Sequence, residues 1–214
     1  MHAFDEAIGS KVTEPLPADE VRVYLLPRPH GAGRAPLLAL LGAQLGVAPA
    51  DVQLVDGEHG RPALAPRHAA ALDFNWSHSG EWALVALARG IAPGIDLEVP
   101  RPRARALELA RRFFSAEEAA WLAGLPEDAQ LAGFLDLWTA REAVLKALGR
   151  GIAFGLDKLA FRRDEAGIRL LRLEGDDARH WQVHRLEPGA GMHAALAWRG
   201  PPRRLRVATL AETA

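Results

Sequence analysis

The chain has 214 residues, 49% of them hydrophobic and 25% charged, with a formal net charge of -1. That much apolar material excludes general disorder and supports either one large domain or two small packed lobes. The balance of 26 basic against 27 acidic residues argues against nucleic acid as the main partner, and the absence of cysteine removes disulfides, thiolate nucleophiles and sulfur-ligated zinc, so a metal would sit on oxygen or imidazole, with Mg²⁺ the first expectation.

The opening MHAFDEAIGSKV lacks the basic start and apolar run of a signal peptide, and no stretch nears roughly 18 uncharged apolar residues, so a cytoplasmic chain without membrane contact is expected. Residues 1 to 20 are polar and marked by proline. Val21 to Leu26 alternates as a strand does. After the PRPHGAG segment, leucines at 37, 38, 40, 41 and 45 predict a helix from Arg34 to Leu45, ended by Gly46. Val52 to Leu64 predicts a hairpin broken at DGEHG. Phe74 to Trp76 and Glu81 to Ala88 predict a strand pair, the second apolar on both sides as a buried strand is. Gly94 to Val99 predicts a further strand, with Ile95, Leu97 and Val99 on one face and Asp96 and Glu98 on the other.

The pattern then turns helical. Arg103 to Phe114 is periodic, Ser115 and Glu118 make an S-x-x-E capping box for a helix ending near Gly124, and Glu127 to Leu148 predicts the longest helix, stopped by Gly149. Short strands follow over 159–163, 168–173, 181–185, 192–198 and 205–209. This order predicts an α+β fold of two similar lobes, residues 1–100 and 101–214, each a small, mostly antiparallel sheet packed with helices. The shared pattern of FNWSHSGEWALVALA and WQVHRLEPGAGMHAALAW points to an internal repeat with pseudo-twofold symmetry.

Three features could carry chemistry. Asp96 and Glu98 point the same way from an apolar strand, which suits metal ligands and equally suits an edge strand whose polar face meets water. On the long helix, Glu142 falls inside the apolar stripe of Leu131, Phe134, Leu135, Trp138 and Leu145. A carboxylate there needs a partner. One arrangement is an ion pair with Lys146 or Arg141. The other brings Glu142 to Asp96 and Glu98 across a cleft to hold Mg²⁺, while Lys146 and Arg141 face a phosphate. The third feature is Gly60-Arg61-Pro62 followed by Phe74-Asn75-Trp76-Ser77-His78-Ser79, where Ser77 and His78, read as a turn with Gly80, could meet an anion or simply bond to the backbone. No G-x-S-x-G elbow surrounds any serine. The run Arg101, Arg103, Arg105 fits a solvated face or a dock for an acidic partner.

Taken in order, GRP, FNWSHS, GIDLE, RRFFS and WTAREAVLKALGRGI resemble the phosphopantetheinyl transferases, specifically the two-lobed class typified by the surfactin synthetase-activating enzyme. The resemblance runs from about Arg34 to Phe161. It implies transfer of 4′-phosphopantetheine from coenzyme A to a serine of an apo acyl or peptidyl carrier protein, with Mg²⁺ and release of adenosine 3′,5′-bisphosphate, by a monomer. It places the metal carboxylates on Asp96, Glu98 and Glu142 and the pyrophosphate-contacting lysine on Lys146. Arg141 stands where the family often has lysine. Ser77, His78, Gly60, Arg61 and Arg34 fall on coenzyme A contacts. Asp96 is counted on the coenzyme A side as well, through the shared metal. Glu142, directly or through a water, is the implied base for the serine proton. The chain departs from the family in PRPHGAGR, which lacks a lysine cluster and where Arg28, His30 and Arg34 could substitute, and in Trp76, which is bulkier than the usual aliphatic residue. Two rivals use the same residues: a Mg²⁺-dependent phosphohydrolase with water as nucleophile, and a non-catalytic coenzyme A or carrier-binding module.

Overall fold

A computed structural model of the protein describes residues 5–7, 12–57, 60–69, 71–101, 105–151, 154–164, 167–189 and 191–210. The first part of the chain forms β1 (Asp5–Ala7), β2 (Glu20–Pro27), α1 (Ala35–Leu45), β3 (Leu54–Asp56), β4 (Pro62–Leu64), α2 (Pro66–Ala69), β5 (Asp73–Ser79), β6 (Trp82–Ala88) and β7 (Gly94–Glu98). The rest forms α3 (Ala106–Phe113), α4 (Ala116–Ala123), α5 (Glu127–Leu148), β8 (Leu159–Asp164), β9 (Gly167–Leu173), β10 (Trp181–Leu186), β11 (His193–Arg199) and β12 (Arg204–Leu210). The fold is α+β, as the alternation of patterns predicts.

One order of elements occurs twice. β2, α1, β3–β4 and β5–β6 are answered by β7, α5, β8–β9 and β10–β11, with α3 and α4 inserted before α5. In both, the last hairpin strand returns antiparallel to the opening strand, with Val23 opposite Ala86 in the first and Ile95 opposite Leu196 in the second. The two expected lobes nevertheless exchange strands across residue 100. β7 joins β10 and β11 in the second sheet, and β12 returns to the first, whose order is β1-β12-β2-β6-β5. There β12 lies parallel to both β1 and β2, so this sheet is mixed rather than wholly antiparallel.

Period-two alternation stacks these sheets. Val21, Val23 and Leu25 of β2 with Leu84 and Ala86 of β6 pack against Ile95, Leu97, Leu196 and Trp198 of the second sheet. The outer face of the first sheet, with Tyr24, Phe74 and Val85, is covered by Leu37, Leu40 and Leu41 of α1. Ala195 and Ala197 on the outer face of the second meet Phe134, Leu137, Ala140 and Val144 of α5. The result is four layers, α1, sheet, sheet and α5, and Asp96 lies between the last two because its cross-strand partner is Ala195.

α5 is stopped by Gly149 at φ +69°, the left-handed cap predicted for it. Its close approach to β7 depends on Gly94, where an added Cβ would stand 2.0 Å from the Ala143 carbonyl oxygen and 2.4 Å from the Ala147 nitrogen. Both atoms are backbone, so relief requires moving the helix. Gly94→Ala is expected to destabilise the fold by at least about 1–3 kcal/mol; urea unfolding monitored by tryptophan fluorescence measures it.

β5 and β7 are neighbours from different sheets, and alternate side chains join them. The Ile95 N–H donates to Asn75 Oδ1 at 2.9 Å, Ser77 Oγ donates to Asp96 Oδ1 at 2.8 Å, and the Val99 N–H donates to Ser79 Oγ at 3.1 Å. FNWSHS thus supplies a polar ladder at the spacing of a strand.

Candidate active site

Three elements converge on the cleft. β7 brings Asp96 and Glu98, β5 brings Ser77, and α5 brings Glu142 and, one turn on, Lys146. Lys146 Nζ donates to Asp96 Oδ1 at 2.7 Å and to the Ile95 carbonyl at 3.0 Å. Asp96 is buried, and its Oδ1 takes both the lysine and the serine hydroxyl.

Glu142 is the uncompensated charge. It is 9% exposed, and its Oε1 is buried with no hydrogen-bond partner. Burial first, and then the charge of Asp96, push its carboxyl up to about 7, with Lys146 opposing and Glu98 adding to the rise. Neither arrangement open in the sequence is met in full: Lys146 pairs with Asp96 and Arg141 with Glu118, while the charges of Asp96 and Glu98 reach Glu142. Among the described residues, no group of three or more histidine or acidic side chains could hold a metal ion as it stands. The orphaned Glu142 oxygen and two carboxylates that raise its proton affinity nevertheless fit a divalent cation in charge and in donor type, since hard cations take carboxylate oxygen.

A cavity of ≈ 300 Å³ opens beside this group, bounded by Gly60, Arg61 and Pro62, by Asn75 and Trp76, and by Glu142 and Lys146 together with Gly149 and Gly151 after α5. It therefore joins three of the sequence motifs, GRP, FNWSHS and that of the long helix. Trp76, unexplained in the sequence, forms part of its wall with its ring 5.2 Å from that of His78. Asn75, Gly149 and Gly151 lie inside the motifs FNWSHS and WTAREAVLKALGRGI, but the sequence gives none of them a role at the site. The period-two polar run Asn75, Ser77, Ser79 is a signal that could have found the first.

Several expected contacts are placed differently. Arg141 does not reach the cleft: it is fully buried, its Nη2 donates to Glu118 Oε2 at 2.5 Å, and its guanidinium lies 3.8 Å from the centre of the Phe114 ring. The helix is enclosed on all sides over most of 133–145, so the residue beside Glu142 points into protein. Ser77 and His78 are not in a turn but inside β5; the turn is Gly80-Glu81, with Gly80 at φ +59°. Ser77 is turned to Asp96, while His78 is exposed. Burial, then the neighbouring charges of Arg28 and Lys146, lower the His78 pKa, which favours its neutral form. Arg34 stands at the start of α1, half-exposed, 3.5 Å from Asp56 Oδ1, and is not part of the cavity wall. Arg61 is in the wall, but its terminal nitrogens are bonded to protein. Of the basic run, Arg103 lies outside the described residues.

The sequence also missed Asp136, a buried carboxylate on α5 that accepts Arg163 Nε at 2.9 Å and Arg185 Nε at 3.0 Å and meets His193 Nδ1 at 2.7 Å. Burial alone would raise its pKa; the His193 and Arg185 bonds outweigh that and lower it. His193 is the cross-strand partner of Glu98, so this network adjoins the acidic strand.

Residues 92–198, which include every one of the α5 and β7 groups above, match the model of the 4′-phosphopantetheinyl transferase superfamily. The 4′-phosphopantetheinyl transferase HetI of Nostoc is 38% identical over 173 residues, covering 79% of this chain and 70% of that protein. A Synechocystis protein provisionally named for the same activity is 36% identical over 150 residues, 70% of this chain and 61% of its own length. Sfp of Bacillus subtilis is 29% identical over 74% of this chain and 69% of that one. The holo-[acyl-carrier-protein] synthase of Thermotoga maritima aligns in structure over 51% of this chain and 63% of that one, with 19% identity and a TM-score of 0.42. With a family model matched across half its length, on the segment that carries Asp96, Glu98, Glu142 and Lys146, the chain belongs to the 4′-phosphopantetheinyl transferase superfamily.

Proposed function

We propose that the protein transfers 4′-phosphopantetheine from coenzyme A to a serine hydroxyl of an apo acyl or peptidyl carrier protein, with Mg²⁺, releasing adenosine 3′,5′-bisphosphate. The observation that carries this reading is the placement of Glu142, Lys146 and Asp96 together beside a cavity walled by the GRP loop. Asp96, Glu98 and Glu142 would hold the metal, and when bound it would neutralise the pyrophosphate and polarise its P–O bonds.

The serine oxygen forms a bond to the β-phosphorus while the bond to the bridging oxygen breaks, and that electron pair leaves on the nucleotide phosphate. Lys146 Nζ, held by Asp96 and the Ile95 carbonyl, is placed to stabilise the charge developing on the leaving group. Glu142 is the acceptor for the serine proton. Gly60 offers backbone, and His78 an uncharged imidazole, to the nucleotide end of coenzyme A. The carrier's acidic face would meet the basic segment after β7.

Mass spectrometry of an intact apo carrier protein after incubation with the protein, coenzyme A and Mg²⁺ tests this. A gain of one phosphopantetheine, absent with EDTA, is expected; coenzyme A turnover without a carrier would instead show the phosphohydrolase, and coenzyme A binding without turnover the binding module. Lys146→Ala should lower the single-turnover rate by about 100-fold or more, the range for losing one preorganised transition-state donor. Equal rates for this variant and the wild type would remove Lys146 from the chemistry.

A further inference from the structure

Arg61 follows Gly60 into β4, and its guanidinium meets three separate stretches of chain. Nη1 donates to the carbonyl of Lys146 at 3.0 Å and to that of Ala147 at 3.5 Å, in the last turn of α5. Nη2 donates to Asp73 Oδ1, to the Phe74 carbonyl on β5 and to the Pro93 carbonyl just before β7, each at 3.1 Å. The terminal N–H groups of an arginine are its means of gripping a phosphate. Here both terminal nitrogens are directed at protein acceptors.

The location gives these bonds a purpose. The last carbonyls of a helix have no intrahelical partner and carry its negative end, so a buried cation satisfies them twice over, by hydrogen bond and by charge. One of those carbonyls belongs to Lys146 itself. Another acceptor, Pro93, precedes by three residues the Asp96 that Lys146 holds. The same guanidinium therefore fixes both ends of the Lys146–Asp96 contact to the edge of the first sheet, through β5.

We propose that Arg61 is a positioning residue, clamping the C-terminal turn of α5 to β5 and to the approach of β7 and so setting where the Lys146 ammonium stands, instead of binding the nucleotide. The role in transfer rests on the function proposed above; the clamp itself does not. Lysine cannot replace it, because a single ammonium has neither the reach nor the fork to meet three stretches of chain.

The test compares wild type, Arg61→Met, Arg61→Lys and Asp73→Asn by steady-state transfer kinetics with coenzyme A and a carrier, and by hydrogen exchange at the amides of Gly149 and Arg150, which close α5 onto Lys146 and Leu145. Arg61→Met should lower kcat by about 10- to 100-fold, the scale of an ångström misplacement, leave KM for coenzyme A within about twofold, and speed exchange at both amides. Arg61→Lys should fail to restore kcat. Asp73→Asn, which removes the charge paired with Arg61 Nη2 while keeping an oxygen acceptor, should move both readouts the same way by less, and it carries the test if Arg61→Met does not fold. A rise in KM with kcat and exchange unchanged would overturn the clamp in favour of a ligand contact. Should the wild type show no transfer, the proposed function falls, and unchanged exchange in the variants would separately overturn the clamp.

Discussion

Glu142→Gln is expected to lower phosphopantetheine transfer by about 1,000-fold or more while raising the stability of the metal-free protein at neutral pH. The loss follows from removing, at one position, a proton acceptor and a metal-binding carboxylate, each of which alone is worth about 100-fold or more. The gain follows from linkage. The Glu142 carboxyl is raised from 4.5 to about 7 in the fold, so the folded state holds its proton where the unfolded state has released it. Its contribution is therefore fully present below about 4.5 and is lost as pH rises through about 7, when the folded protein must carry a buried, unpartnered carboxylate next to Asp96. Over that window the loss is on the order of 3 kcal/mol. The glutamine variant in EDTA should show a flatter stability profile between pH 5 and 8 and a higher midpoint at pH 8. A variant no more stable than wild type at pH 8 would mean that Glu142 is already paired in solution.

Arg141→Ala is expected to destabilise the protein by about 3–5 kcal/mol, the cost of leaving one member of a buried ion pair alone. Glu118 is the residue left behind. Its Oε2 takes Arg141 Nη2 and the Ser115 N–H, and its Oε1 takes the Phe161 N–H, so one carboxylate ties α4, α5 and β8 together. Arg141 also loses its place over the Phe114 ring. Urea denaturation should show the loss directly, and Arg141→Lys should recover only part of it, since lysine can neither reach Glu118, Leu137 and Leu156 from three nitrogens nor stack on Phe114. In whatever fraction remains folded, KM for coenzyme A should be unchanged. A normal unfolding midpoint with weakened coenzyme A binding would restore Arg141 to the site from which the structure removes it.

The contrast between Glu142 and Arg141, adjacent in sequence, shows which kind of information was legible. Glu142 was found because a carboxylate inside an apolar stripe is anomalous at the level of helical periodicity, and the strand carrying Asp96 and Glu98 was found by alternation. Element ends were equally local: Gly46 and Gly149 both stop helices with positive φ, and Ser115 with Glu118 forms the reciprocal cap. Arg141 was misplaced because a helix buried on one face has a solvent flank and α5 has almost none. That Glu118 serves both as cap and as partner to Arg141, 23 residues on, has no local signature. Ser77 and His78 were read as a turn from the following Gly80, whereas the ladder from β5 to β7 keeps the strand going to Ser79. Pairings between β7 and β11 and between β12 and β2 are equally non-local, and periodicity is silent about them.

The return of β12 to the first sheet has a consequence for how the chain comes off the ribosome. β2 is made well before β12, the strand that hydrogen-bonds its outer side, which is the last strand among the described residues and lies between β1 and β2. Throughout translation of the intervening residues the nascent sheet presents an unpaired edge flanked by Val21, Val23 and Leu25, the kind of edge on which chains aggregate. Glu20 at the head of β2, 2% exposed in the finished fold, is paired at 2.6 Å with Arg22 of its own strand and gains Arg204 at 3.5 Å and Arg206 at 3.8 Å only when β12 arrives, so until then a charged pair marks that edge. A chain cut short before Arg204 would keep that edge permanently open, and such fragments should be substrates for chaperones and proteases.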